Sequence, residues 1–274
     1  MIELPEARAI AASLRKEILG KRISNVTGEF TGHKFTFYRG DPNTYKAQLT
    51  GKMVTEIIDR NFYVEAVIED KKLIMRDGAN IRFFNAGSAK PPKSKLLIEF
   101  EDSSFLSVTT SMYSMIYVSG RDEDIENKYY EMEQTSVGAL DVLFTLEYFL
   151  NLIDEKTIKL SAKAFLATEQ RILGIGNGVV QDVLFNAGIS PRRILSTMSD
   201  SEITGLYDST VKTIRRMTDM GGRDTEKNIY STRGGYKTIM SAKTYKNPCP
   251  ECGGEITKEN YLGGSVYYCK NCQK

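Results

Sequence analysis

Residues 163–193 read KAFLATEQRILGIGNGVVQDVLFNAGISPRR, and this stretch decides the fold of the C-terminal half of the chain. Its apolar periodicity predicts one helix over Leu160–Gln170 and another over Val179–Asn186. Between them lies a glycine-rich turn, Gly174-Ile175-Gly176-Asn177-Gly178. Helical periodicity extends outward from this pair to residues 140–220, so we predict a helical domain built around the turn.

The glycine-rich turn has two readings. Glycines let backbone N–H groups point toward one place, and the N-terminus of the following helix adds a positive dipole. Gly174, Gly176 and the amide of Asn177 could therefore hold a phosphate. The turn could equally be a packing corner at which glycine permits close approach. Arg192 and Arg193, beyond the second helix, favour the phosphate reading.

The last 26 residues hold every cysteine of the chain, spaced C-x2-C-x16-C-x2-C. The four residues are Cys249, Cys252, Cys269 and Cys272. One C-x-x-C pair could be a redox site, but two pairs that use all the cysteines predict a structural zinc site. Because the tail is too short to bury a core of its own, the metal would supply its folding energy. We expect the loop Tyr261–Ser265 between its two strands to contact a partner.

The first half of the chain has a different pattern. Leu4–Leu19 is predicted as a helix that ends at Gly20. Short alternating segments follow as far as about residue 118, and they predict an antiparallel β-sandwich or barrel. The clearest of these segments are Phe35–Tyr38, Tyr63–Ile68, Lys72–Met75 and Leu96–Phe100. The turns between them are predicted at Gly40–Asn43, Glu69–Lys71, Asp77–Asn80 and Glu101–Ser104.

These patterns together predict an α+β multidomain fold. We expect an N-terminal helix and β-sandwich domain over residues 1–120, a polar linker over 121–138, a helical domain over 139–241 and a zinc finger over 242–274. No apolar run approaches the roughly 18 residues that a membrane-spanning helix needs. The acidic N-terminus is not a signal peptide, and thiolate ligands suit a reducing cytoplasm.

Charge is unevenly distributed along the chain. Residues 1–150 hold 19 Lys+Arg and 22 Asp+Glu, a net charge of −3, whereas residues 151–274 hold 18 and 13, a net charge of +5. The excess is small and could be chance. It could also mark a C-terminal half that faces an anion such as nucleic acid.

Three motifs in this order resemble the formamidopyrimidine-DNA glycosylase/endonuclease VIII family of base-excision repair enzymes. Ile2-Glu3-Leu4-Pro5-Glu6 is similar to the N-terminal signature of that family, residues 163–193 to its helix–two-turn–helix motif, and the cysteine tail, including Gln273, to its zinc finger. The resemblance covers the whole chain. It implies a bilobal protein on damaged or abasic duplex DNA that flips a base out of the stack. We expect a cytoplasmic monomer, associated with the nucleoid if the protein is bacterial.

The resemblance also implies roles for residues near the N-terminus. In the family the N-terminal amine attacks C1′ of the sugar and displaces the base, and the Schiff base that forms allows β-elimination. By position Glu3 would be the acid/base group on the sugar, and Glu6 a second carboxylate near the pocket. The family usually has proline where this chain has Ile2, and a large residue there is expected to keep Met1 in place. Either Met1 supplies the amine or the Schiff-base step is lost.

The resemblance further implies a set of DNA contacts. The predicted DNA-binding residues are Lys163, Gly174, Gly176, Asn177, Arg192, Arg193, Tyr113 and Arg223. Tyr113, which we expect beside Met112 in a strand-end loop, could wedge between bases or simply pack. Arg223 begins a segment that either closes over the extruded base or is a solvated loop.

A second departure from the family lies in the zinc loop. Gly264 stands where the family usually has an arginine that contacts phosphate. Glycine removes both the charge and the planar donor geometry of that side chain. The resemblance therefore implies a DNA glycosylase that could also have abasic-site lyase activity, or a catalytically silent binder of damaged DNA with the same fold.

Overall fold

The computed structural model describes residues 2–28, 35–126 and 128–274, and within them the chain divides into two compact units. The first unit contains residues 2, 6–126 and 226–234, and the second contains residues 3–5, 128–225 and 235–274. The helices are α1 Leu4–Ile18, α2 Tyr45–Leu49, α3 Lys128–Thr135, α4 Leu146–Asn151, α5 Ala162–Ala167, α6 Val179–Asn186 and α7 Asp200–Asp219. The strands are β1 Ile23–Thr27, β2 Thr36–Tyr38, β3 Val54–Asp59, β4 Tyr63–Ile68, β5 Lys71–Phe84, β6 Leu96–Phe100, β7 Phe105–Gly120, β8 Ile256–Tyr261 and β9 Gly264–Cys269.

The first unit is built on the long strands β5 and β7. The sheet order is β1-β6-β7-β5-β4-β3, with all these neighbours antiparallel, and β2 adds to β7 in parallel. β4 pairs with the N-terminal part of β5 in one half of the sheet, and β6 pairs with the N-terminal part of β7 in the other half. Apolar side chains from both halves meet in one core, as the predicted sandwich requires.

The two halves of the sheet meet at a bulge. Asp77 pairs with Ser114 and Ala79 pairs with Thr110, so the single residue Gly78 faces three residues of β7. Asp77 has φ +57°, and the Thr110 and Ser114 hydroxyls bond across the base of the bulge at 2.7 Å. The predicted turn at residues 77–80 is therefore wrong, because β5 continues through it and only bends.

A segment from late in the chain completes the first unit. Ile229 is fully buried in the sandwich core, and its carbonyl accepts a hydrogen bond from the Phe83 N–H at 2.8 Å. The Tyr230 hydroxyl donates to Glu17 at 2.7 Å. The polar composition of residues 223–246 did not predict that this segment packs against the first unit. The packing depends on a single apolar side chain, Ile229, and on a core formed by residues far away in the sequence.

The second unit packs its helices around an aromatic and aliphatic core. A capping box begins α7, since Ser199 accepts from the Glu202 N–H and Glu202 accepts from the Ser199 N–H. The prediction for α6 agrees with the structure at both ends. The preceding helix is shorter than predicted, because Glu169 and Gln170 have φ values of +59° and +54° that no helix allows.

Two further findings concern the connections. The segment predicted as a polar linker contains the short helix α3. The C-terminal tail forms the β-hairpin β8–β9, whose core includes Ile256, Tyr267 and two of the cysteines. Among the described residues, no helix is both long enough and apolar enough to cross a membrane.

Candidate nucleic-acid interface and metal centre

The glycine-rich turn of the second unit holds the carboxylate of Glu3. The N–H groups of Gly176, Gly178 and Val179 donate to it at 3.2, 3.0 and 2.8 Å. The Leu4 N–H also donates to the Gly174 carbonyl at 2.9 Å, which fixes the adjoining backbone. These three N–H groups are therefore already bonded to a carboxylate of the chain itself, and the phosphate contact of the turn stays a prediction.

Glycine is required at two positions of this turn. A Cβ on Gly176 would lie 2.7 Å from the carboxyl carbon of Glu3. A Cβ on Gly178 would lie 1.6 Å from Nη1 of Arg223, whose Nη1 reaches Glu3 Oε1 at 3.5 Å. Glu3 and Arg223 are 5% and 2% exposed. The close-approach reading is thus correct, and the approaching groups are a carboxylate and a guanidinium.

Burial of Arg223 changes the interpretation of its segment. Its backbone pairs with Tyr236, and the Asp224 N–H donates to the Tyr236 carbonyl at 2.8 Å. Arg223 is thus held beside Glu3 inside the second unit, and its contact with DNA stays a prediction. Sequence reasoning placed it in a loop because it follows two glycines, and the partner that buries it lies 220 residues earlier.

A second buried carboxylate, Asp182 on α6, fixes the segment that leads to the cysteines. It accepts hydrogen bonds from the N–H groups of Ile239 and Met240 at 2.9 and 2.7 Å. Burial raises the pKa of Asp182, and these bonds and the Tyr236 hydroxyl partly counter that shift. In the sequence, Asp182 is only a charged residue within an apolar helix, and nothing there predicted its hydrogen bonds to Ile239 and Met240.

Asn177 faces the β8–β9 hairpin. Its Nδ2 donates to the Ser265 carbonyl at 3.1 Å, and Gln181 Nε2 donates to the same oxygen at 2.9 Å. The Gly264 backbone lies against this amide, since a Cβ on Gly264 would be 3.0 Å from Asn177 Oδ1. Among the described residues that Oδ1 atom is buried without a hydrogen-bond partner. Glycine at residue 264 thus lets the hairpin settle onto Asn177.

Lys163 and Arg192 meet the hairpin at Tyr261. Lys163 is 2% exposed, and its Nζ donates to the Tyr261 carbonyl at 2.5 Å. The Arg192 guanidinium lies 4.1 Å from the Tyr261 ring centre, and its Nε donates to Glu259 at 2.7 Å. Burial lowers the pKa of Lys163, whereas the Glu259 carboxylate raises the pKa of Arg192. Of the two predicted DNA contacts, only Arg192 is at the surface.

The remaining predicted basic contact is Arg193. Its Nε and Nη2 donate to the Thr197 hydroxyl and carbonyl, both at 2.7 Å, and Nη2 lies 3.5 Å from Glu202. These bonds hold the turn before α7. Arg193 therefore has a clear structural task, and its DNA contact stays a prediction.

The four cysteines form one cluster. Their sulfur atoms all lie within 4.8 Å of one another, with Cys249–Cys272 at 3.8 Å and Cys252–Cys269 at 3.5 Å. A tetrahedral ion with metal–sulfur bonds of about 2.3 Å needs sulfur atoms about 3.8 Å apart. The cluster thus has the geometry of a structural metal site. Gln273 supports it, because its Oε1 accepts from the Cys269 N–H at 2.9 Å.

In the first unit, Ile2 and Glu6 line a cavity of 70 Å³ together with Asp77, Arg82 and Glu226. The Ile2 N–H donates to the Asp77 carbonyl at 2.9 Å, and the Ile2 side chain joins the sandwich core. Residue 2 is thus anchored through both its backbone and its side chain. Met1, the predicted alternative source of the amine, lies outside the described residues.

Tyr113 lies in the bulge of β7 and not in a strand-end loop. Its side chain is 41% exposed, and the following N–H, of Ser114, donates to the Phe35 carbonyl at 2.9 Å. The bulge thus presents Tyr113 outward from a continuous strand. Its wedge role stays a prediction.

Comparison with known proteins finds relatives that match the chain over its full length. No family model matches the chain. Curated relatives named formamidopyrimidine-DNA glycosylase match the entire chain. The Brevibacillus brevis protein is 24% identical over 99% of its own length, and the Geobacillus kaustophilus protein is 26% identical over 100% of its own length. The solved complex of Lactococcus lactis Fpg with abasic-site DNA superposes with a TM-score of 0.83 at 23% identity over 99% of both chains.

The same protein bound to DNA that contains N7-benzyl-Fapy-dG superposes with a TM-score of 0.82 at 23% identity, again over 99% of both chains. The chain therefore has the fold of these glycosylases, with the N-terminal helix, β-sandwich, helical part and cysteine cluster that the sequence predicted. The resemblance is confirmed over the full length.

Proposed function

We propose that the chain is a DNA-repair glycosylase that acts on damaged bases in duplex DNA. The observation that carries this proposal is the placement of Glu3. The residue that the family resemblance assigns to sugar chemistry is buried, held by three N–H groups of the glycine turn and paired with Arg223. A carboxylate fixed by three hydrogen bonds and an ion pair is preorganised, as a group that must meet one sugar atom has to be.

Full-length similarity to formamidopyrimidine-DNA glycosylases supports the same conclusion. Their structures in complex with abasic and damaged DNA suggest the substrate class for this chain. Arg192, at the surface beside the hairpin, is the cation we assign to phosphate, and Asn177 has a second amide hydrogen beyond the one it donates to Ser265. We expect the protein to act as a monomer in the cytoplasm.

We assign zinc to the four-cysteine cluster. The donor set is four thiolates with sulfur spacings that suit a tetrahedral ion, and zinc is the metal that such closed sites commonly hold. The ion's task would be structural. It would fix the β8–β9 hairpin, whose Ser265 and Tyr261 carbonyls accept bonds from Asn177 and Lys163.

The lyase step depends on the N-terminal amine. In the proposed reaction the amine nitrogen bonds to C1′ while the bond from C1′ to the base breaks, and the base leaves with a proton. With Ile2 anchored in the core, the amine belongs to Met1 if that residue is retained. A glycosylase that uses water in place of the amine would still need Glu3.

The alternative function is a catalytically silent binder of damaged DNA. Two observations favour it: Ile2 packs where a reactive residue is expected, and Gly264 leaves the hairpin without the usual arginine. Such a protein would prefer lesion-bearing duplex over intact duplex without releasing a base.

Base release from a panel of lesion-bearing duplexes decides between these functions. The glycosylase predicts release from at least one lesion by the wild-type chain and none by Glu3→Gln. Because the substituted amide also weakens the hydrogen bonds that Glu3 accepts from the glycine turn, thermal unfolding of Glu3→Gln must be measured alongside. Base loss by a folded Glu3→Gln variant at the wild-type rate would contradict the role of Glu3. Specific binding without any base release would favour the silent binder.

A further inference from the structure

The tip of the β8–β9 hairpin contains an unusual residue. Leu262 and Gly263 join the two strands and have φ values of +51° and +74°. A two-residue turn of this kind needs positive φ at both positions and favours Asn-Gly or Asp-Gly. Leucine is disfavoured there because its Cβ crowds the backbone. The turn geometry alone therefore gives no reason for leucine.

The Leu262 side chain is also not explained by packing. It is 49% exposed, one of the large apolar side chains at the surface of the second unit. Gly263 and Gly264, which follow it, have no side chains. Leu262 thus projects from the tip with open backbone beside it, so a partner could approach closely.

Both strands that lead into the tip are firmly held. Before the tip, Tyr261 accepts from Lys163 through its carbonyl, and its hydroxyl lies 2.9 Å from Ser161 Oγ. After the tip, the Ser265 carbonyl accepts from both Asn177 and Gln181. The leucine is therefore presented on a support that is already ordered, which lowers the entropic cost of binding.

The surroundings of the tip indicate the kind of partner. Arg192 is exposed, and its guanidinium lies over the ring of Tyr261, the residue just before Leu262. Asn177 contacts Ser265, the second residue of β9, and the proposed function assigns its side chain to phosphate. An apolar side chain between two groups that the proposed function assigns to phosphate suits duplex DNA, in which leucine can wedge into an opened base step.

We propose that Leu262 is an apolar wedge that inserts at the disturbed base step of lesion-bearing duplex DNA. The inference rests on the proposed function and adds a contact to it. In place of the arginine charge that Gly264 lacks, the hairpin would offer apolar contact area. The contribution of Leu262 to the binding affinity would change little as the salt concentration rises. Arg192, by contrast, would account for part of the salt dependence of the affinity.

The test measures binding of a labelled duplex with a tetrahydrofuran abasic analogue by fluorescence anisotropy. Leu262→Asn keeps the turn, because Asn-Gly is its preferred sequence, and should raise Kd about tenfold. Its salt slope should equal that of wild type, whereas Arg192→Gln should reduce the slope by about one. Leu262→Met, which keeps the apolar contact, should bind as wild type does.

Leu150→Asn is the matched control, since Leu150 lies on α4 in the same unit and is 44% exposed. It should leave Kd unchanged. A 2-aminopurine beside the abasic analogue should brighten with wild type and much less with Leu262→Asn. If wild type binds and Leu262→Asn binds equally well, the wedge is wrong and the proposed function stands. If wild type itself fails to bind, the proposed function falls, and the wedge falls with it.

Discussion

Arg223 lies where any side chain on Gly178 would have to be. A Cβ at residue 178 would sit 1.6 Å from Arg223 Nη1, and the same guanidinium is 3.5 Å from Glu3. Gly178 has an ordinary helical φ of −80°, so its backbone does not require glycine. The missing side chain is needed for space alone, and that space admits the cation that neutralises Glu3.

Gly178→Ala should therefore destabilise the second unit and disturb Glu3. Displacing one partner of a buried ion pair typically costs about 3–5 kcal/mol. Urea unfolding measures the loss. Gly205→Ala is the control, because Gly205 lies inside α7 with nothing within 4 Å of a built Cβ and should gain about 1 kcal/mol. Equal stability of the Gly178 variant and wild type would refute the steric argument.

Removing the metal should unfold the C-terminal hairpin. We propose that the tail folds around an ion held by its four thiolates, so ion binding and folding should be one equilibrium. Because the chain has no other cysteine, thiol titration reports the site directly. We expect one zinc per chain and slow thiol reaction in the native protein, then four fast-reacting thiols after chelation. Four fast thiols without chelator, in a protein free of zinc, would show that the site is not a metal centre.

Lys163 predicts a pH dependence of stability. Burial lowers its pKa from the ordinary 10.5, so in the window just below that value the unfolded chain binds more protons than the folded one. Stability should thus rise with pH in that window relative to Lys163→Met, which cannot titrate. Urea unfolding between neutral pH and pH ~10 checks this. Lys212→Met, at an exposed position, is the control and should follow wild type.

The lyase half of the proposal has its own test. Borohydride reduces a Schiff base to a stable link, so a protein that uses its terminal amine should become covalently attached to abasic-site DNA. Mass spectrometry of the N-terminus identifies which residue carries the amine, and we expect Met1 because Ile2 disfavours its removal. Base release without any trapped adduct would leave a glycosylase that uses water.

Local patterns predicted much of the fold. β4, β6 and α6 match the expected segments residue for residue, because alternation and helical periodicity report local burial. The cysteine cluster was predictable from spacing alone. By contrast, the turn expected at residues 77–80 is a bulge in β5, since pairing with β7 continues on both sides of it.

The site was less predictable, because its contacts join residues far apart in sequence. The sequence identified the glycine turn and Glu3 separately, yet it could not show that the one holds the other, 173 residues away. Arg223 resembled a loop residue and is buried. Gln181, which fixes the hairpin, was not singled out, since a glutamine carries no motif, and Tyr261 was predicted only as part of a partner-binding loop.

Affinity for an abasic-site duplex, compared with an undamaged duplex of the same sequence, tests the central claim most directly. We predict that the zinc-loaded chain binds the abasic duplex at least about tenfold more tightly at the same salt concentration, a difference of roughly 1.4 kcal/mol. Equal affinity for the two duplexes, or no binding to either even in dilute buffer, would contradict the account.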